Sequence, residues 1–250
     1  MLRLIDARTG SYAVVKPARP GLLRVCAHVP EAARESGITG LRVLLAADLL
    51  ARVAELGSLQ VLAILVSHGE LSGQMPAARA SPGDTQALLG GPADVHVISC
   101  GADADARLSG IATCVGDAHM PGTGAQGEAT ADLLAGHEHD PLAIRLALMS
   151  FPSRQTADLT DSALADAHET VGDWRRLVAR WAERPSMPVP RYLADKARAA
   201  FGDLDTPSAI ALLRGLADDD GVPAGAKFES FLYIDRVLGL DLPREIGKQG

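Results

Sequence analysis

Sulfur and imidazole recur at strand-like ends of this sequence. Cys26 and His28 stand two apart in LLRVCAHV, His68 closes LQVLAILVSH, His96 lies in ADVHVISC, which ends on Cys100, and Cys114 ends LSGIATC. Thiolate and imidazole are the donors of tetrahedral zinc sites. Cys26, His28, His68 and Cys100 form one conceivable ligand group, set against the plainer and expected reading of small buried thiols at strand ends. A second group of residues is glycine-rich. GTGAQG at 122–127 precedes ATADLL, where backbone amides and a helix amino terminus could receive a phosphate, set against the plainer and expected reading of a flexible surface loop. Gly37-Ile38-Thr39-Gly40 opens a long apolar-periodic run and could cradle a nucleotide through amides alone. His137 and His139, two apart in HEHD, suit a loop metal site less well than Asp140 suits the cap of the helix that follows.

The elements that must position these residues are legible from periodicity. GLLRVCAHV and LQVLAILVSHG are apolar runs rich in strand formers, and LRVLLAADLLARVAELG between them has helical spacing with Gly57 as its stop. Strand, helix and strand in that order imply a parallel sheet, with ligands expected at the carboxyl ends of its strands. A Ser-, Pro- and Gly-rich loop is expected over 71–91, then strands in ADVHVISCG and LSGIATCVG. From about residue 128 the texture is helical: ATADLLAG, then PLAIRLALMSF capped by Asp140, the long TDSALADAHETVGDWRRLVARWAERP, RYLADKARAAFGD, DTPSAIALLRGLADDD and AKFESFLYIDRVLGLDL. The expected architecture is α/β, a Rossmann-type parallel sheet over 1–127 followed by a helical bundle over 128–250. Trp174 and Trp181, seven apart, share a helical face that is core or partner-facing. Arg175, Arg176 and Arg180 are expected on a solvated face, as are the acidic residues at 103–105 and 218–220.

Composition narrows the function. With 47% hydrophobic residues in 250 and a net charge of −7, the chain can bury a sizeable core, and its 24 Lys and Arg never gather into a run that would track a phosphate backbone. No apolar run reaches the roughly 20 residues of a membrane helix. Three cysteines without a CxxC pair point to a reducing, cytoplasmic setting.

The order of these elements resembles the cysteinyl-tRNA synthetases and their relatives the mycothiol cysteine ligases, both class I synthetases. LRLIDARTG followed by LLRVCAHVP resembles the family's opening, DPLAIRLALMS the segment after its second signature, and FGDLDTPSAIALLRGL with FLYIDRVLGLDL its helical domain; Asp205, Thr206 and Pro207 are the most specific. The resemblance implies a nucleotide site. Its first signature, His-Ile-Gly-His, falls on Gly37, Ile38, Thr39 and Gly40. The second, Lys-Met-Ser-Lys-Ser, falls on His119, Met120, Pro121, Gly122 and Thr123. Both histidines and both lysines are replaced. The family's zinc ligands, two cysteines, a histidine and a glutamate, reduce to Cys26, while His96 matches the first histidine of an Asp-x-His-Gly-Gly run. Zinc is therefore not expected.

The resemblance thus implies a protein that has lost amino-acid adenylation and binds a small molecule, ATP or another nucleotide, or a protein partner. Gly37, Thr39, Gly40, His96, His119, Gly122 and Thr123 are the candidate nucleotide-binding residues, and His119 is the candidate catalytic residue. The alternatives are an ATP-dependent amino-acid-activating ligase with a rebuilt site and a subunit whose sheet is only a scaffold. The loop from His119 to Gly124 is expected to be mobile and catalytically silent. Ordinary tRNA charging is not expected, since nothing after the helical bundle matches an anticodon-binding domain.

Overall fold

The computed structural model describes residues 2–29, 37–67, 79–80, 85–100, 108–120 and 140–248. The chain divides into two compact units, Met1–Glu138 with Ser153–Thr160, and His139–Pro152 with Asp161–Gly250.

The first unit opens with the antiparallel pair β1 (Arg3–Ile5) and β2 (Tyr12–Val14). β3 (Leu22–Val29), β4 (Gln60–Ser67), β5 (Arg79–Ala80), β6 (Val95–Ser99) and β7 (Ile111–Val115) then form one sheet in the order β5-β4-β3-β6-β7, with every neighbouring pair parallel. This is the Rossmann-type sheet that the strand, helix, strand order calls for. β3 is its central strand, and Leu23 to Ala27 are all buried, the continuous burial of a strand covered on both faces. β3 and β4 pair in parallel from Leu22 and Gln60 to Val29 and Ser67. The helix between them, α1 (Gly37–Leu56), buries Val43, Ala47, Leu50 and Ala54 at helical spacing. Its end departs from expectation in detail. Ser58, not Gly57, takes the left-handed conformation (φ 65°), letting the Leu59 amide donate back to the Ala54 carbonyl. The segment expected as a loop over 71–91 contains β5 and a single helical turn, α2 (Thr85–Leu88). Two- and four-residue elements carry no periodicity to read.

Numbered along the chain, the strands of this sheet run 3-2-1-4-5. The chain builds outward from β3 to β4 and β5, then crosses to the other side of β3 for β6 and β7. β3 and β6 therefore flank the topological switch point, where such sheets bind ligands. Asp94 locks this junction: its carboxylate accepts from the Ala18 and Arg24 amides, and its carbonyl from the Ile111 amide. Gly110 enters β7 at φ 75°, where a Cβ would lie 2.4 Å from the Asp94 carbonyl oxygen, so only glycine fits. A short parallel pair, β8 (Ala118–His119) with β9 (Ala157–Asp158), completes the unit.

The second unit is helical: α3 (Pro141–Met149), α4 (Asp161–Trp181), α5 (Arg191–Gly202), α6 (Thr206–Asp218), α7 (Ala224–Leu238) and a 3-10 turn, Leu242–Glu245. Asp140 and Asp205 cap α3 and α6 by accepting the Leu142 and Ser208 amides, and proline occupies the first turn of each. Trp174 and Trp181 are core residues, each edge-on to the fully buried Phe231. Arg175 is not on a solvated face. It is 6% exposed, pairs with Asp140 and donates to the Leu240 and Asp241 carbonyls, because position 175 lies on the inner face of α4 beside the chain's last turn. Arg176 and Arg180 are exposed, as are Asp218 to Asp220; the acidic run at 103–105 lies outside the described residues.

Candidate functional site

At the switch point, β3 and β6 pair Cys26 with His96. Residues level with each other on neighbouring parallel strands share a face, and so do residues two apart on one strand. Cys26, His28 and His96 therefore come together over the same patch of sheet, and no two of their ligand atoms lie more than 4.8 Å apart. His28 Nε2 and His96 Nδ1 are 2.9 Å apart, a hydrogen bond between imidazoles. Ile64, Val66, Leu89 and Ala93 cluster with Cys26 to make the surroundings apolar. On the same strand face, Arg24 ties the 89–90 backbone down by donating to the Leu89 and Gly90 carbonyls.

Burial sets the protonation of this group. It pushes the fully buried Cys26 thiol up to about 12. It also pulls His96 down to about 4, helped by His28 and Arg8 and opposed by the nearby Ser109 carbonyl. At neutral pH, Cys26 is a thiol and His96 a neutral imidazole. A thiol held protonated is a poor nucleophile, so the trio is not a cysteine–histidine nucleophilic pair. Its donors are one sulfur and two imidazoles, a set that suits zinc-like metals. His96 is 5% exposed, and its Nε2 has no hydrogen-bond partner of acceptable geometry among the described residues.

The other candidate residues are spread around this centre. Gly37 is the first residue of α1, and Gly40 lies buried in its first turn. The Thr39 hydroxyl accepts from the Ala118 amide at 3.0 Å and donates to the Ala118 carbonyl at 3.3 Å, clipping the helix start to β8. His119 is exposed on β8, where its carbonyl accepts from the Leu159 amide. Cys100 is disulfide-bonded to Cys114 across a Cα–Cα distance of 4.9 Å. This corrects the expectation of free thiols there and removes Cys100 from any ligand group; the cause is the adjacency of β6 and β7, which spacing alone does not disclose. His68, Gly122, Thr123, His137 and His139, and with them the GTGAQG loop, lie outside the described residues. Sequence reasoning did not single out the pairing of His28 with His96. The local sign was the Cys-x-His alternation on one strand face, but its partner came from another strand.

No protein family's sequence profile matches the chain. Over 107 residues it is 36% identical to the L-cysteine:1D-myo-inositol 2-amino-2-deoxy-alpha-D-glucopyranoside ligase of Thermobispora bispora, covering 42% of this chain and 26% of the ligase. Two-fifths of this chain resembles cysteine ligases. The enzyme of the same name from Kribbella flavida is 38% identical over 104 residues, 41% of this chain and 25% of its own length. That from Rhodococcus jostii is 36% identical over 120 residues, 44% and 27% respectively. The similarity thus spans about a quarter of the length of each of these ligases. Among the described residues, no helix is long and apolar enough to cross a membrane.

Proposed function

We propose that this chain is a cysteine-ligase-like protein that binds a small ligand or a nucleotide at the switch point of its sheet and has lost amino-acid adenylation. The observation that carries this reading is the start of α1. Where the resemblance calls for two imidazoles, the helix opens with Gly37, Ile38, Thr39 and Gly40, and the Thr39 hydroxyl is spent on Ala118. His119 stands where the second signature would begin with a lysine. Each lost electrostatic donor to a transition state costs on the order of 10²–10³ in rate, so losing two imidazoles and two lysines together leaves little adenylation by that route. Binding is less demanding. The amino terminus of a long helix beside the carboxyl edge of a parallel sheet attracts a phosphate through its amides and dipole, and a protein partner could use the same rim.

A second reading, a working ATP-dependent cysteine ligase with a rebuilt site, is favoured by the activity in the names of the similar enzymes. Pyrophosphate exchange with ATP and cysteine separates the two. The expected result is no exchange above the protein-free blank, together with measurable ATP or cysteine binding by calorimetry. Exchange at the rate of an ordinary ligase would overturn the proposal. If His119→Ala then abolished it, the imidazole would have taken over the lysines' work.

A further inference from the structure

We propose that Cys26, His28 and His96 bind one divalent metal ion of the zinc class, through the Cys26 sulfur and one nitrogen of each imidazole. This ligand set differs from the one the resemblance implies, two cysteines, a histidine and a glutamate, with which it shares only Cys26. The expectation of no zinc counted family positions; the pairing of β3 with β6 adds His28 and sets His96 beside Cys26. The proposal goes beyond the functional reading above and does not depend on whether adenylation has been lost.

The geometry is close to what a metal requires. With metal–nitrogen bonds of about 2.0–2.1 Å and a metal–sulfur bond of about 2.3 Å, tetrahedral nitrogen pairs lie about 3.4 Å apart and sulfur–nitrogen pairs about 3.6 Å. The facing imidazole nitrogens are 2.9 Å apart, and the widest gap in the trio, 4.8 Å, closes to that range by a shift of about 1 Å. The trio lies on adjacent strands whose register is fixed by backbone pairing, so the ligands are held before any ion arrives. The buried nitrogen of His96 points the same way: Nε2 has no hydrogen-bond partner among the described residues, a costly state for a buried polar group. A metal that takes Nε2 as its donor relieves this directly, whereas the metal-free pair relieves it only where an Nε2–H reaches the nearby Ser109 carbonyl. The cation beside the site, Arg8, is neutralised by its ion pair with Asp6 at 2.7 Å.

Protons balance simply. Both histidines stay neutral, the proton between their facing nitrogens shifting to an outer one if Nδ1 ligates. The Cys26 thiol gives up its proton to solvent, so one proton leaves per metal bound and the new bonds are to sulfur and two nitrogens. Three protein ligands leave a fourth position open, which is the pattern of sites that bind something further rather than of closed structural sites.

The test uses the full chain, stripped with a chelator and titrated with Co²⁺ as a spectroscopic substitute for zinc. The expected result is one Co²⁺ per chain, with the visible bands of tetrahedral cobalt and a near-ultraviolet thiolate-to-cobalt band, all lost on adding one equivalent of Zn²⁺. Cys26→Ser should remove the thiolate band. His28→Ala, at a half-buried position, should weaken Zn²⁺ binding by more than the roughly 10–100-fold typical of losing a supporting hydrogen bond. Circular dichroism confirms that each variant is folded. Absence of a thiolate band in the wild-type chain overturns the proposal, because that measurement needs no variant to fold. Cobalt binding that survives both substitutions unchanged overturns it too, since the ion would then sit elsewhere.

Discussion

Arg42 offers a test of how the start of α1 is tied to the segment bearing His119. It is 3% exposed, and its Nη1 donates to the Gly116 carbonyl at 3.1 Å, the Asp117 carbonyl at 3.0 Å and the Gln155 carbonyl. One nitrogen has two hydrogens, so these acceptors share the equivalent of two bonds from a charged donor, each contributing about 1.5–3 kcal/mol. Replacing Arg42 with Met keeps the aliphatic stem and forfeits those bonds, about 3–6 kcal/mol. It also relieves the cost of burying a guanidinium, the burial that lowers the pKa of Arg42. The net expectation is a loss of about 3 kcal/mol, concentrated where β8 meets β9. The assay is amide hydrogen exchange followed on peptides spanning 111–119 and 153–160, because both tryptophans lie in the other unit and would not report it. Exchange there should speed up by about 100-fold, the equivalent of 3 kcal/mol. Arg42→Lys, which keeps the charge but loses the guanidinium's reach, should recover only part of the protection. A loss below about 1 kcal/mol in Arg42→Met, with exchange unchanged in both peptides, would refute the reasoning.

In the helical unit, Asp140 supplies a pH signature. Burial alone would raise its carboxyl pKa, but Arg175, the Leu142 amide and Arg244 outweigh burial and hold it below the usual carboxylate range. A depressed folded-state pKa gives stability that is present above the unfolded value near 3.8 and is lost as pH falls through the folded one. Asp140→Asn should therefore destabilise the chain at pH 7 and flatten the fall in stability below about pH 4, read from melting temperatures across that range; an unchanged acid limb would contradict this. Phe231→Ala removes a fully buried ring set between Trp174 and Trp181, at centroid distances of 5.9 and 5.0 Å. It should cost about 3–5 kcal/mol and red-shift tryptophan emission, and a variant as stable as the parent would show that the helical core is not centred there.

What the sequence by itself determined is what local pattern can encode. The apolar runs around Cys26 and Ile64 specify strands, since both are short and rich in strand formers. Val43, Ala47, Leu50 and Ala54 specify one buried helix face, and Asp140-Pro141 and Asp205-Thr206-Pro207 announce helix starts because a carboxylate cap and a proline in the first turn suit the same geometry. That the start of this helix carries Gly37, Ile38, Thr39 and Gly40 was legible too, although the sequence alone could not show that the Thr39 hydroxyl serves Ala118. Tertiary structure decided which strands are neighbours and in what register. That set Cys26 beside His96, joined Cys100 to Cys114, drew Arg175 inward to Asp140, and returned Ser153–Thr160 to the sheet-bearing unit. The reason is physical: the periodicity of a segment reports how many of its faces are buried, whereas its partner is chosen by burial and pairing summed over residues far apart in the chain, and no local pattern carries that sum.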